Sequence, residues 1–411
     1  MLLGAIAGRT LMGADMPPPS APPSPPGYTS ASLALLDPPD QPAPAPVTSN
    51  NTAGPFDRWT LVSSGETPGF FGARWIGNQF VALGQRAIMT SPDGITWRNP
   101  GASLSGTFYD IATNGNIFVA VGDKGGLATS PDLKTWTSQT SPTSGRIYGV
   151  YWFNNQFFAT GDGLVYTSAM GSAWSTQSFG GSYFHHGTLA GNNLVIADSD
   201  GVSITNGFSR RHISNPDRMM DVAFNNSLLV AVGSAPNPLW TSADGSSWQK
   251  STPGSPESLG AVTWTGSQFV AGGGNSTILN SPDGNMWSVR SLGSKSNIYA
   301  VAGHGDTVVA VTATGEIYTN QNIAAVAKPE ITFAPGAAGS VPQLELQCAT
   351  ADAKIFYTED GKDPIPHSIP YAGPFSPAQS ETIKVRSYKD GLAPSAVSSA
   401  DFIIPSPVEH K

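Results

Sequence analysis

The 411-residue sequence holds one cysteine, Cys348, and only 12% charged residues, among them 21 Lys or Arg. A single thiol excludes an intrachain disulfide and any cysteine-cluster metal site, and it leaves the redox compartment open. With a net charge of -8, the chain has too few basic groups for the face that phosphate neutralisation on nucleic acid requires. No run approaches the roughly 18 to 20 apolar residues of a membrane span. Long stretches of 3.6-residue apolar period are also missing, so helices have little material. The start, MLLGAIAG before Arg9, has an apolar patch but no basic leader. It reads as a clipped or unusual export signal, or as a short segment contacting a membrane or a partner.

Glycine and proline are plentiful, 46 and 35 residues. Twelve of the prolines fall within residues 16–46, a composition that cannot bury enough apolar surface to fold alone. Residues 1–55 are therefore expected to form an extended strap. At about 3.1 Å per residue, some 30 residues of polyproline geometry reach about 90 Å, enough to hold the chain within a larger assembly.

The middle of the chain repeats. TSPDGITW ends at Trp97, TSPDLKTW at Trp136, TSAMGSAW at Trp174, TSADGSSW at Trp248 and NSPDGNMW at Trp287. The spacings are 39, 38, 74 over two units, and 39, and the missing copy is SITNGFSR, with Arg210 where tryptophan is expected. Upstream of each copy lie an apolar strand, an Asn/Gly turn and a second strand. Four short strands per unit of about 38 residues are the signature of a β-propeller blade. Six complete units begin near Phe70, Phe108, Ile147, His185, Met219 and Leu259, and residues 298–320 supply three strands of a seventh. WTLVSS, with Trp59 38 residues before Trp97, is expected to complete it and remove an open sheet edge. In the first strands Val150, Val222, Val262 and Val301 share one repeat position, with Gly149, Gly187, Ala261 and Ala300 beside them. Asp110 and Asp221 are the exceptions at the small position.

The Ser-Pro-Asp-Gly-x-x-Trp hairpins resemble the Asp-box, or BNR, repeats of sialidase-like propellers and of photosystem II assembly-factor propellers, with a loop one residue shorter than the commonest form. The resemblance covers residues 56–322 and implies a β-propeller, and the count of units makes it seven-bladed where sialidase propellers have six. Asp93, Asp132, Asp244 and Asp283 can accept backbone N–H bonds within their turns, and Trp97, Trp136, Trp174, Trp248 and Trp287 can pack between blades, so these residues are expected to be structural. Farther on, KIFYTEDGKDP (354–364), Tyr371 and ETIKVRSYKDGLAPS (381–395) resemble the chitobiase/β-hexosaminidase C-terminal domain. That likeness spans 329–404, leaves a tail at 405–411, and implies an immunoglobulin-like β-sandwich in an extracytoplasmic accessory or adhesive role. The fold class expected is all-β.

Chemistry is sparse. Glycoside hydrolysis needs two carboxylates about 5 to 9.5 Å apart, and Asp110 and Asp221 stand on nonadjacent units. The arginine triad and the Arg-Ile-Pro signature of sialidases are absent, Arg146-Ile147-Tyr148 being the nearest approach. His185 and His186 are adjacent on a strand and so point to opposite faces. Asp198-Ser199-Asp200-Gly201 reads as a tight turn. No metal and no cofactor are expected. The residues clustered at strand starts on one face are Phe71, Tyr109, Arg146, Tyr148, His186, Arg218 and Tyr299, which suit a protein segment or a sugar. The expectation is a nonenzymatic interaction or accessory subunit, periplasmic, at the cell surface or secreted. Its partners would be a protein, a glycan or a membrane-associated assembly, including a photosynthetic one. The alternative is a carbohydrate-active, sialidase-like hydrolase.

Overall fold

The computed structural model describes residues 56, 58–63, 69–100, 104–178, 183–215, 217–234, 238–255, 257–321, 323–334, 343–366 and 368–403. The expected strap at 1–55 and the tail at 405–411 lie outside the described residues. Seven antiparallel sheets succeed one another along the chain, here sheets 1 to 7. Their inner strands are Phe70–Ile76, Phe108–Thr113, Ile147–Phe153, Phe184–Ala190, Met219–Phe224, Leu259–Trp264 and Ile298–His304. Sheets 2 to 6 are four-stranded meanders. Sheet 1 has three strands, and its outer edge is extended by one bridge, Thr90 to Arg98. Sheet 7 takes its fourth strand from the other end of the chain, since Thr60–Ser63 pairs antiparallel with Ile317–Thr319.

Local sequence explains the meanders. The first hairpin of sheet 1 turns at Gly77 and Asn78, both at positive φ, the conformation of a two-residue turn matched to strand twist. Second strands read as continuous apolar runs because sheets pack on both of their faces. Val81, Ala82, Leu83, Val230, Ala231 and Val232 are all fully buried. Core clusters therefore straddle neighbouring sheets, as where Phe70 and Phe80 of sheet 1 meet Ala300 and Val309 of sheet 7. Each inner strand packs against the next, and that of sheet 7 packs against that of sheet 1.

The turn between third and fourth strands has one design. Asp244 Oδ1 accepts the N–H groups of Ser246 and Ser247 at 2.7 and 2.8 Å, and Ser242 Oγ accepts from Gly245 at 2.9 Å. Trp248 Nε1 then donates to the Gly245 carbonyl at 3.1 Å while its ring packs on the cluster between sheets 4 and 5. Asp93, Asp132 and Asp283 make the same pairs of N–H bonds, and Trp97, Trp136, Trp174 and Trp287 the same indole bond. In sheet 4, Asn206 replaces the aspartate, receiving Phe208 and Ser209 N–H at 3.0 Å each. Arg210 replaces the tryptophan, with its guanidinium 5.2 Å from the Phe184 ring centroid.

Hydrogen bonds from Ser247 and Ser246 hold the Asp244 carboxyl below its ordinary range. The stabilisation is therefore present above the unfolded-state value and lost as pH falls through the folded one. Asp244→Ala is expected to cost about 1 kcal/mol at pH 7, the scale of a lost side-chain cap. Thermal unfolding of both proteins at pH 7 and pH 3 checks this; an unchanged difference at pH 3 would contradict the charge-assisted account.

Beyond the seventh sheet, Glu330–Ala334 pairs with Gln343–Gln347, and a second sheet orders Ile369–Pro370, Lys354–Thr358, Glu381–Tyr388 and Ser398–Phe402. Alternation along Glu381–Tyr388 buries Ile383, Val385 and Ser387, the first two against Leu344, Leu346 and Phe402, with Lys384, Arg386 and Tyr388 on the other face.

Candidate functional site

Every inner strand carries a register shift near its start, between Phe108 and Asp110 in sheet 2 and between Met219 and Asp221 in sheet 5, for example. A bulge of this kind adds one residue against the partner strand and re-aims side chains. The close approach it makes is visible opposite. A Cβ on Gly122 would lie 1.9 Å from the Thr107 carbonyl oxygen, and one on Gly233 2.0 Å from that of Arg218, so glycine ends these second strands.

The bulge turns two consecutive residues of each inner strand toward one opening. The upper position holds Phe71, Tyr109, Tyr148, His185, Met220, Gly260 and Tyr299; the lower holds Gly72, Asp110, Gly149, His186, Asp221, Ala261 and Ala300. His185 and His186 thus line the same cavity, which corrects the expectation that they face opposite ways. The hairpin register also places His186, not Gly187, beside the small residues: Gly187 pairs with Ile196 as Val222 pairs with Ala231.

The mouth cavity, about 500 Å³, brings together all seven residues singled out from the sequence, Phe71, Tyr109, Arg146, Tyr148, His186, Arg218 and Tyr299. Their rings form an arc. Tyr299 lies 5.1 Å from Phe71, Phe71 6.2 Å from Tyr109, and Tyr109 stacks on Tyr148 at 5.9 Å, with His185 5.1 Å beyond. The arc is interrupted at Met220 and Gly260, where a Cβ on Gly260 would meet nothing nearer than the Ile298 carbonyl oxygen at 3.8 Å. Arg146 pairs with Asp123 at 3.1 Å, and the Arg218 guanidinium lies 3.3 Å from His185 Nε2. Burial, reinforced by Arg218, pushes the His185 imidazole down to about 3, so this ring is neutral at physiological pH.

Below the mouth is a polar cavity of about 210 Å³, lined by Arg74, Asp110, His186 and Asp221 between small residues. Asp110 is 1% exposed. Arg74 clamps it with Nε to Oδ1 at 2.7 Å and Nη2 to Oδ2 at 2.9 Å, and Ile111 and Val150 donate their N–H groups at 2.9 and 3.0 Å. Burial alone would push this carboxyl up; Arg74 outweighs it and holds the group below its usual range. Asp221 accepts the matching two backbone bonds, from Val222 at 2.8 Å and Val262 at 3.0 Å, and burial pushes it up to about 6.

Ligand atoms of Asp198, Asp200 and His212 come within 4.8 Å of one another in sheet 4. The space is already governed by Arg210, whose Nη2 lies 3.4 Å from Asp198 and 3.0 Å from His212 Nδ1, while Ser203 donates to Asp198. A fixed guanidinium there opposes a second cation.

Residues 333–399 match the family model of the chitobiase/beta-hexosaminidase C-terminal domain. YCF48 from Cyanidioschyzon merolae is similar at 15% identity and a TM-score of 0.51, over 64% of this chain and 98% of that one. A structure of YCF48 bound to D1 peptide gives 16% and 0.53, over 64% and 94%. A virginiamycin B lyase from Staphylococcus aureus gives 10% and 0.57, over 64% and 98%. The chain folds as a β-propeller followed by an immunoglobulin-like domain. At these identities the likeness carries the fold alone. Among curated proteins none matches the chain significantly.

Sequence reasoning missed Arg74, His185, Met220 and Gly260 as lining residues. For His185, Met220 and Gly260 the available signal was positional: once the unit starts are aligned, each occupies the same step as Phe71, Tyr109, Tyr148 and Tyr299. Arg74 had no such signal.

Proposed function

We propose that this chain is a nonenzymatic interaction subunit, a closed seven-bladed Asp-box propeller whose mouth binds an extended segment of a partner protein. The observation that carries the reading is the aromatic arc with its opening at Gly260, where rings supply contact area at low entropic cost and the gap leaves a way in. The YCF48 structure with a bound D1 peptide supports a peptide ligand for a fold of this kind. We further propose an extracytoplasmic setting, with the Pro-rich segment tethering the chain to a membrane-associated assembly and the C-terminal domain as accessory module.

The hydrolase alternative is weakened by Asp110. With both oxygens held by Arg74 and by two backbone donors, it is a poor nucleophile or base, and two-carboxylate hydrolysis would be left with Asp221 alone.

Gly260→Tyr tests the mouth directly, because the new ring enters open space. Cross-linking and affinity purification from the native source are expected to recover a specific partner with the wild-type chain and at least tenfold less with the variant, at an unchanged melting temperature. Equal recovery would move the interface away from the mouth, and release of sugars from glycans by the purified chain would favour the hydrolase.

A further inference from the structure

Asp110 and Asp221 occupy the same step of the repeat in sheets 2 and 5. Each accepts the N–H of its own next residue and that of a valine on the following sheet. They differ in one respect. Asp110 receives a guanidinium from the preceding sheet, where Arg74 pairs across from Val81. The preceding sheet of Asp221 offers Thr188 at the corresponding step, across from Val195. Among the described residues no ion pair is made to Asp221, although Arg74 and His186 line the same cavity. A carboxylate thus sits at the wall of a cavity with the backbone support of a guanidinium site and without the guanidinium.

The space fits the missing group. The cavity of about 210 Å³ corresponds to about seven waters at about 30 Å³ each, and a guanidinium has four non-hydrogen atoms. Gly72, Ala261, Ala300 and Ala302 leave the cavity walls low. The route in passes the rings of Tyr109, Tyr148, Phe71 and Tyr299, whose faces favour a cation. The Arg146 charge on the rim is offset by Asp123, and the Arg74 charge in the polar cavity by its bidentate partner Asp110.

We infer that Asp221 is the receptor for an arginine side chain of the docked segment, filling the slot that Arg74 fills beside Asp110. Only the identity of the natural ligand rests on the docking reading above; the slot itself is tested with a small probe. Calorimetric titration of the full chain with methylguanidinium is expected to show saturable one-to-one binding, and acetate none. Asp221→Asn is expected to weaken methylguanidinium at least tenfold. Thr188→Arg, which supplies the guanidinium from within, is expected to abolish binding while leaving the melting temperature equal or higher. Absence of binding to the wild-type chain, equal binding by Asp221→Asn, or saturable acetate binding in place of methylguanidinium would each overturn the inference. Should one variant fail to fold, the other carries the test. A wild-type chain that binds methylguanidinium but recovers no protein partner would fail the docking reading alone. Recovery of a partner lost with Gly260→Tyr but unchanged in Asp221→Asn and Thr188→Arg would overturn the assignment of Asp221 to an arginine of that partner while leaving the mouth as its docking site.

Discussion

Arg74→Met is expected to destabilise the propeller by about 3 kcal/mol, the lower end of the roughly 3 to 5 kcal/mol for removing one partner of a buried pair. The lower end applies because the Arg74 side chain is 36% exposed while Asp110 is 2% exposed. The cost comes from the partner left behind. Asp110 would keep two backbone donors and lose both charge-assisted bonds, so it must stay ionised in a dry setting or take up a proton. For a propeller of this size the loss corresponds to about 6 to 12 °C in melting temperature. The double variant Arg74→Met/Asp110→Asn should recover most of it, because a neutral amide still accepts a backbone bond. The pH dependence has a defined sign. The Asp110 carboxyl is held low in the folded protein, so the pair stabilises above the unfolded-state value of about 3.9 and the benefit fades as pH falls through the folded value. Wild type and Arg74→Met should therefore converge in acid. A variant melting within about 2 °C of wild type at pH 7 would show that channel water solvates Asp110 unaided.

Deleting residues 56–64 is expected to do more damage still. Thr60–Ser63 supplies the fourth strand of sheet 7, Thr60 Oγ1 donates to the Gln321 carbonyl at 3.1 Å, and Phe56 is 3% exposed within the cluster between sheets 6 and 7. Trp59 and Leu61 pack on the same cluster. Losing a buried phenylalanine alone costs about 3 to 5 kcal/mol, against a total stability of about 5 to 15 kcal/mol. Deletion would also bare the edge of Ile317–Thr319, a template for pairing with other chains. The expected outcome is loss of the cooperative transition and of the wild-type peak in size-exclusion chromatography. Phe56→Ala, a milder cut at the same cluster, should lower the melting temperature while leaving the elution volume unchanged. A deleted chain that melts like wild type would mean that this strand contributes nothing to the fold.

Much of this was legible in the sequence because it is local. The hairpin motif that recurs every 38 residues or so, the paired N–H bonds to Asp93, Asp132, Asp244 and Asp283, and the alternation of Ile383 and Val385 each depend on residues within a few positions of one another. Most of the mouth residues were legible for a related reason: Phe71, Tyr109, Tyr148 and Tyr299 recur at one step of the repeat, and Arg146 and Arg218 at another just before it. The pairing of Thr60–Ser63 with Ile317–Thr319 spans most of the chain, yet its signal was numerical, an incomplete unit at each end of the array.

What resisted reading was set by the bulge and by contacts between sheets. Strict alternation sends His185 and His186 to opposite faces, and only the extra residue in each inner strand brings both to the mouth. Arg74 and Asp110 lie 36 positions apart, and no spacing rule distinguishes their pair from Asp221 with Thr188 before it. The scarcity of charge was legible as a number, and the fold supplies its reason, since sheets buried on both faces leave little room for it. Which of the few charges are satisfied was decided only by tertiary structure. A carboxylate's state depends on the dielectric around it and on the one cation within reach, and both are supplied by neighbouring sheets.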